Sequence, residues 1–342
     1  MLLVYDPDAI TIPIDPKLPF DSPRGLTGRE RLLFYYVEYL KSSNQNVTVF
    51  SKFTQEHNDG PITYVNRLPD QRDLVVHFGK YRTQHGGKRN ILVYPYVKSA
   101  GTGRHLYQEL TRVVVPNEVG RWNICDGIYL NLEDVNKFRS FKFTAPSISR
   151  SRIDPKVVYS SRWDKGLVEV LSAWPMVHMA NPEAKLILPN VVNQLDRYLS
   201  WERDRSIGVN GTQGEWGRRA RYCKSLFNKL YDCGIESPKS LSVNGVRKHI
   251  TSASVLLYPA NGIENYTYHA SSVYDASLCG TPVLAQGSKS FYEMDYRHIS
   301  YVNMNDRLAF SSSILNLLSS PKTFKSRDPG SYEQLHRIVI SA

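Results

Sequence analysis

Short apolar runs alternate with longer amphipathic stretches along the whole chain. The runs are three to five residues long and end in Gly, Pro or polar residues, which is typical of buried strands in parallel sheets. After Thr27, a residue suited to a helix N-cap, Leu33, Tyr36, Val37 and Leu40 recur at helical spacing and predict an amphipathic helix. The predicted strands are residues 2–5, 47–50, 74–78, 91–94, 112–116, 157–160, 185–189, 255–258, 283–285 and 299–302.

The alternation of strands and helices predicts an α/β protein with parallel sheets. Residues 143–155 contain two prolines and three serines without apolar periodicity, which predicts a linker between two domains. The chain of 342 residues is long enough for two domains that each bury a core.

The stretch 255–286 predicts one complete strand–helix–strand unit. Its first strand ends at Pro259, a polar loop follows, and a helix over residues 269–279 ends at Gly280. Thr281 and Pro282 lead into the next strand. In open parallel sheets, ligands bind beyond the carboxyl ends of the strands, close to helix N-termini that favour anions. We therefore expect a binding site at this unit.

Charge and cysteine content indicate which partners and which cellular compartment suit the protein. A formal net charge of +11 suits an anionic small molecule, an anionic membrane surface or nucleic acid. The sequence contains no run of eighteen apolar residues, so we predict no membrane-spanning helix. The N-terminus does not resemble a signal peptide. Four scattered cysteines without a CxxC motif favour free thiols in a reducing compartment. These features predict a cytoplasmic protein, with peripheral membrane contact left open.

Residues 275–283, DASLCGTPV, resemble a motif of retaining glycosyltransferases of the two-Rossmann (GT-B) architecture, family four. That motif has a Glu, seven residues, a second Glu and then Ala-x-x-x-Gly-x-Pro-Val. Asp275 stands for the second Glu, and Thr267 stands where the first belongs. Glu264 lies three residues earlier and serves as the alternative if the loop carries a short insertion.

A second resemblance to the same family lies at the start of the second half. Arg162-Trp-Asp-Lys165-Gly166 follows a predicted strand, and in the family an Arg and a Lys at such a loop hold the donor diphosphate. The chemical need is clear, because a departing nucleoside diphosphate gains negative charge that fixed cations and helix N–H groups stabilise. The alternative reading is that both are ordinary loop cations.

The first half carries weaker candidates. Gly28 opens the predicted first helix and would let a phosphate or sugar approach the backbone, although an ordinary helix N-terminus explains it as well. His77 ends a predicted strand, where the family often has a His that meets the donor sugar; a structural His is the alternative. Asn190, in the loop after strand 185–189, is a candidate for contact with the nucleotide base.

The resemblance implies two Rossmann-like domains that face each other across a cleft. Residues 1–148 would form the acceptor-side domain and 149–325 the nucleotide-sugar-binding domain, with 326–342 packing back on the first. Asp275 would accept hydrogen bonds from the ribose, and Thr267 or Glu264, with the adjacent Tyr266, would meet the sugar. The anomeric configuration would be retained. No metal or cofactor is expected beyond the nucleotide-sugar co-substrate, because protein cations hold the diphosphate.

Two other functions stay open. One is a nucleotide-sugar epimerase on the same fold, which would need a carboxylate base such as Glu264 facing the sugar. The other is a binding or scaffold protein that has lost catalysis. The acceptor of a transferase is also open between a glycan, a lipid-linked glycan and DNA with modified bases; nucleic acid is the less favoured partner.

Overall fold

Two parallel sheets, each flanked by helices, form the framework of the protein. The computed structural model describes residues 1–10, 12–21, 26, 28–79, 81–93, 109–115, 138–140, 154–205, 213–239, 241–259, 271–287, 299–320 and 330–341. The predicted α/β class with two Rossmann-like parallel-sheet domains is confirmed within these residues.

The first sheet has the strand order β3-β4-β2-β1-β5-β6-β7-β8. All neighbouring strands are parallel except β3 and β4, which are antiparallel. Helix α1, Gly28–Ser42, packs on one face of this sheet. The strands are β1 Leu2–Tyr5, β2 Val47–Phe50, β3 His57–Asp59, β4 Ile62–Val65, β5 Leu74–Phe78, β6 Arg89–Val93, β7 Arg112–Val115 and β8 Phe138–Ser140.

The second sheet is parallel between all its neighbours, in the order β11-β10-β9-β12-β13-β14. Its strands are β9 Asp154–Tyr159, β10 Lys185–Ile187, β11 Ile235–Glu236, β12 Ala253–Tyr258, β13 Val283–Ala285 and β14 Ile299–Tyr301. The described helices of this half are α2 Leu167–Ala180, α3 Val191–Arg205, α4 Gln213–Leu230, α5 Val243–Ser252, α6 Ser271–Leu278, α7 Arg307–Ser319 and α8 Gly330–Ile340.

Strand β12 shows why this sheet is buried on both faces. Every one of its residues is buried, as expected for a central parallel strand. Leu257 packs in a core with Trp174 of α2, whereas Leu256 on the opposite face belongs to a core that includes Leu33 of α1. The apolar core of the first domain therefore continues into the second, and the two sheets share it.

The C-terminal helix α8 packs against the first domain. The hydroxyl of Tyr36 on α1 lies 2.9 Å from Nδ1 of His336, and the rings of Tyr39 and Tyr332 stack with centroids 6.4 Å apart. Arg112 at the start of β7 donates a hydrogen bond of 2.7 Å to the carbonyl of Ile338. These contacts satisfy a carbonyl of the last helical turn with a charged donor from the other domain.

The structure departs from the sequence expectations at several places, and the short strands β8 and β11 were not predicted. The antiparallel pair β3 and β4 was not predicted, because its polar strand β3 gives no apolar signal. Asp154 and Pro155, predicted to lie in the linker, already belong to β9. In the part of the chain that the structure describes, no helix is long and apolar enough to cross a bilayer.

Candidate functional site

The loop that follows β9 is shaped by a buried tyrosine. The hydroxyl of Tyr159 donates to the carbonyl of Arg162 and lies 3.1 Å from the carbonyl of Lys165. The amide of Lys165 also donates to the Arg162 carbonyl over 3.0 Å. Burial raises the pKa of Tyr159 well above its usual value, so its hydroxyl stays protonated and keeps its role as a donor. The loop backbone is thus fixed from inside the domain.

Gly166 brings this loop against the end of β12. Its φ of +90° lies in the left-handed region, and a Cβ added there would stand 2.4 Å from the carbonyl oxygen of Pro259. Only glycine fits both the conformation and the space. The loop 162–166 therefore meets the end of β12 at the carboxyl ends of two neighbouring strands.

The two cationic residues of this loop differ in the exposure of their side chains. Arg162 has a side chain that is 61% exposed, and it pairs with both carboxylate oxygens of Asp164 two residues away. Lys165 is half-buried. Because most of the Arg162 side chain is exposed, an anion that approaches from outside can reach its guanidinium.

Asp275 lies in very different surroundings. Its side chain is fully buried on α6, and three side chains donate to it. Arg31 bonds Oδ2, while the hydroxyl of Tyr35 and Nε of Arg247 each lie 3.0 Å from Oδ1. Arg31 and Tyr35 come from α1 of the first domain, whereas Arg247 comes from α5 of the second. The predicted ribose acceptor is therefore the centre of an interdomain ion cluster.

Arg247 completes this group, which we call the Asp275 cluster: Phe20, Arg31, Tyr35, Arg247 and Asp275. Its guanidinium carbon lies 5.3 Å from the ring centre of Phe20 and 5.1 Å from that of Tyr35, and these two rings stack at 5.0 Å. Such cation–π contacts suit a desolvated arginine. Among the described residues, Nη2 of Arg247 is buried and has no hydrogen-bond partner.

Sequence reasoning missed Arg31, Tyr35 and Arg247. Arg31 and Tyr35 lie four residues apart on α1 and so share one helix face, which is a usable signal once a partner is known. Nothing local points to Asp275 as that partner, because Arg31 and Asp275 are 244 residues apart in the sequence.

Asn190 serves the loop that leads into α5. It has a positive φ of 60°, and its side-chain amide bonds both backbone groups of Leu241, with Nδ2 to O at 3.1 Å and N to Oδ1 at 2.8 Å. Both ends of the amide are thereby engaged with this loop. A contact with a nucleotide base, as the sequence suggests, would have to use its remaining hydrogen-bonding capacity.

His77 lies inside the first domain at the carboxyl end of β5. It is fully buried, its ring meets that of Tyr81 edge-to-face at 4.8 Å, and neither ring nitrogen has a hydrogen-bond partner among the described residues. Burial lowers its pKa to about 4, so the imidazole is neutral at pH 7. A neutral imidazole can still donate one hydrogen bond and accept another.

The structure says little about the remaining candidate residues from the sequence. Gly28 is the first residue of α1, and Glu264, Tyr266 and Thr267 lie outside the described residues. Within the described ranges, no three His, Cys, Asp or Glu side chains form a group suited to a metal ion. The expected independence from metal stays a prediction.

Comparison with known proteins places this arrangement in a known architecture. No protein-family model and no curated protein matches the sequence. AviGT4, a glycosyltransferase involved in avilamycin A biosynthesis, superposes with a TM-score of 0.59 at 12% identity, over 100% of this chain and 92% of its own. The chain has the GT-B fold.

Two further solved structures with the GT-B fold match over nearly their full lengths. WaaG, a glycosyltransferase involved in lipopolysaccharide biosynthesis, gives a TM-score of 0.54 at 11% identity, with 100% of both chains covered. HepE from Anabaena, solved with UDP and glucose, gives 0.54 at 11% identity, over 100% of this chain and 99% of its own. At such identities the likeness establishes the GT-B fold of this chain and leaves its substrates to chemical argument.

Proposed function

We propose that the protein is a glycosyltransferase that moves a sugar from a nucleoside-diphosphate donor to an acceptor hydroxyl, with retention of configuration and without a metal. One observation carries the proposal. The Arg162–Gly166 loop lies against the end of β12 in a chain that has the GT-B fold throughout. That contact brings the first resembling segment to the carboxyl end of β12, the strand that opens the stretch 255–286 in which the second one lies.

The diphosphate would bind at the loop after β9. Arg162 and Lys165 supply positive charge, and the N-terminus of α2 directly behind Gly166 supplies free backbone N–H groups. The anion would compete with Asp164 for Arg162, whose side chain is 61% exposed, whereas that of Asp164 is 13% exposed.

The proposed reaction needs no protein nucleophile. The acceptor hydroxyl attacks the anomeric carbon from the face that the diphosphate leaves, so the bond from that carbon to the phosphate oxygen breaks as the new glycosidic bond forms. The acceptor proton passes to the leaving phosphate oxygen. Arg162 and Lys165 stabilise the charge that develops on the diphosphate, which is their contribution to the rate.

The nucleoside and sugar would lie between the loop after β9 and helix α6. We assign the ribose to Asp275, the sugar to Thr267 or Glu264 together with Tyr266, and the base to the loop of Asn190. His77, neutral at pH 7, would hydrogen-bond a sugar hydroxyl, and Gly28 would allow close approach at α1. Because Asp275 is fully buried, its ribose contact requires that some of its present partners yield.

The acceptor in this proposal is a glycan or a lipid-linked glycan. The net charge of +11 agrees with work at an anionic membrane surface, where phosphate-bearing lipids concentrate. A nucleic acid acceptor would make binding fall steeply with salt, whereas a neutral glycan would not. The salt dependence of acceptor binding therefore separates these partners.

Calorimetric titration with UDP and GDP, together with an assay of donor hydrolysis and transfer, tests the reaction class. Binding with transfer to a sugar acceptor is the expected result. Tight binding without turnover would instead indicate a scaffold, and conversion of the donor without any acceptor would indicate an epimerase.

The variant Lys165→Ala tests the diphosphate site. Losing one preorganised cation should cost about 2–4 kcal/mol of transition-state stabilisation, or roughly 30- to 900-fold in kcat/KM. The matched control is Lys185→Ala, which removes an exposed lysine at the start of β10 that pairs with Glu236. Equal turnover of Lys165→Ala and the control would contradict the assigned role.

A further inference from the structure

We propose that the Asp275 cluster is a lock that holds the two domains together in the donor-free protein, and that the donor's ribose opens it by taking over the Asp275 carboxylate. The second half of this inference rests on the proposed function. The first half stands on the interdomain contacts alone.

The contacts of the cluster cross the domain interface. Arg31 and Tyr35 on α1 reach Asp275 on α6. Beside them, Nδ2 of Asn244 on α5 donates over 2.9 Å to Asp21, which ends the 3₁₀ turn Pro19–Asp21 of the first domain. Two segments of the first domain, α1 and the 3₁₀ turn, are thus bonded to two helices of the second by charged and polar groups.

In this geometry the hydroxyls of a ribose would compete with donors of the first domain for the carboxylate of Asp275. A carboxylate offers about four acceptor sites, and Asp275 already accepts from Arg31, Tyr35 and Arg247. A ribose diol presents two hydroxyl donors, so about one free site is not enough. The side chain is also fully buried, which leaves no approach while the first domain is in place. At least one donor must leave.

The donors that leave are those of the first domain. Arg247 and Asp275 belong to the same domain and stay together when the domains part. Arg31 and Tyr35 move away with α1, and Arg31, 12% exposed in the lock, regains water as it goes. Replacement of Arg31 by a hydroxyl pair therefore couples ribose binding to opening of the interface.

Arg247 offers a second sign that a ligand belongs here. Its Nη2 is buried without a partner in the described part of the chain, although a buried charged donor is costly to leave unpaired. A ribose or phosphate oxygen next to Asp275 would accept from it. The locked state leaves this donor unused, and the donor-bound state would satisfy it.

The test compares Arg31→Gln and Tyr35→Phe with the wild-type chain. Both remove a bond to Asp275, and Tyr35→Phe keeps the ring that stacks on Phe20. The control is Lys41→Gln, on the same helix, whose partner Asp59 lies in the first domain. Far-UV circular dichroism and thermal unfolding establish that each variant is folded.

Small-angle X-ray scattering without nucleotide measures the lock, and calorimetry measures nucleotide binding. Arg31→Gln should raise the radius of gyration and bind UDP or GDP about fivefold more tightly or better, because the competing state is depleted. Tyr35→Phe should shift both quantities less in the same direction, and Lys41→Gln should shift neither. The 2′,3′-dideoxy forms of UDP and GDP lack the diol, so Arg31→Gln should bind them no more tightly than the wild-type chain does.

An unchanged radius of gyration in Arg31→Gln would overturn the lock. An opened variant that binds UDP no more tightly, or that binds the dideoxy form with the same gain, would overturn the competition for Asp275. If the wild-type chain binds neither nucleotide, the donor proposal fails, and the scattering result alone still decides whether the lock exists.

Discussion

Asp275 and Arg162 are assigned to the same donor by the same sequence resemblance, yet they lie in opposite surroundings. Asp275 is fully buried and bonded to side chains from both domains, whereas Arg162 is 61% exposed and pairs with a residue two positions away. A buried charge depends on its partners for stability, while an exposed one is screened by water. In the structure one motif residue is therefore held by side chains of both domains, whereas the other is exposed to solvent.

The sharpest way to break this comparison is Asp275→Asn. The change keeps the shape of the side chain but removes the negative charge that Arg31 and Arg247, both mostly buried, share in the structure. Removing one partner of a buried ion pair should lower the free energy of unfolding by about 3–5 kcal/mol. Urea denaturation measures it. The control Asp59→Asn breaks a half-exposed pair with Lys41 and should cost less than about 1 kcal/mol. Equal losses of unfolding free energy in the two variants would contradict the distinction between a buried and a half-exposed ion pair.

Gly166→Ala sharpens the comparison at the other region. The added methyl group would meet the Pro259 carbonyl at 2.4 Å in a left-handed conformation, so strain and displacement together should cost about 2–4 kcal/mol. Gly60→Ala is the matched control, because Gly60 also has a positive φ of 61° but nothing lies within 4 Å of its added Cβ. It should cost about 1–2 kcal/mol from conformation alone. Equal thermal stability of the two variants would mean that the loop moves freely from β12.

These contrasts also mark what a sequence can predict. Strands such as β12 were predictable, because a run buried on both faces is apolar throughout. The strand–helix–strand unit around α6 was predictable from Pro259 and Gly280, whose backbone properties act locally.

The partners of Asp275 were not predictable. Arg31 and Tyr35 approach it only after the two domains have packed, and no local pattern encodes a contact between α1 and α6. The same limit applies to His77, whose position at a strand end was clear but whose complete burial depends on tertiary packing. Charged residues carry no periodicity that reveals which distant charge they will meet.

His77 gives a pH-dependent test of burial in the first domain. Burial lowers its pKa from 6.5 to about 4, so between these values the unfolded chain binds more protons than the folded one. Stability should therefore fall as pH drops from about 6.5 towards 4, by about 2 kcal/mol from this residue at pH 5. Urea denaturation of wild type and His77→Leu at pH 7 and pH 5 isolates that share, since the other histidines are common to both. An identical pH dependence of the two proteins would contradict the burial of a neutral imidazole at this position.

The smallest expected effect on stability belongs to Arg162→Ala. Its pair with Asp164 is local and its own side chain is 61% exposed, so the loss should stay below about 1 kcal/mol and shrink at high salt. Urea denaturation at low and high salt checks this, with Asp275→Asn measured alongside as the buried counterpart. Nucleotide binding should respond in the opposite order to stability, because Arg162 is proposed to hold the diphosphate directly. A large, salt-insensitive loss of stability in Arg162→Ala would show that this arginine is structural, and the diphosphate site would then rest on Lys165 and the helix N-terminus alone.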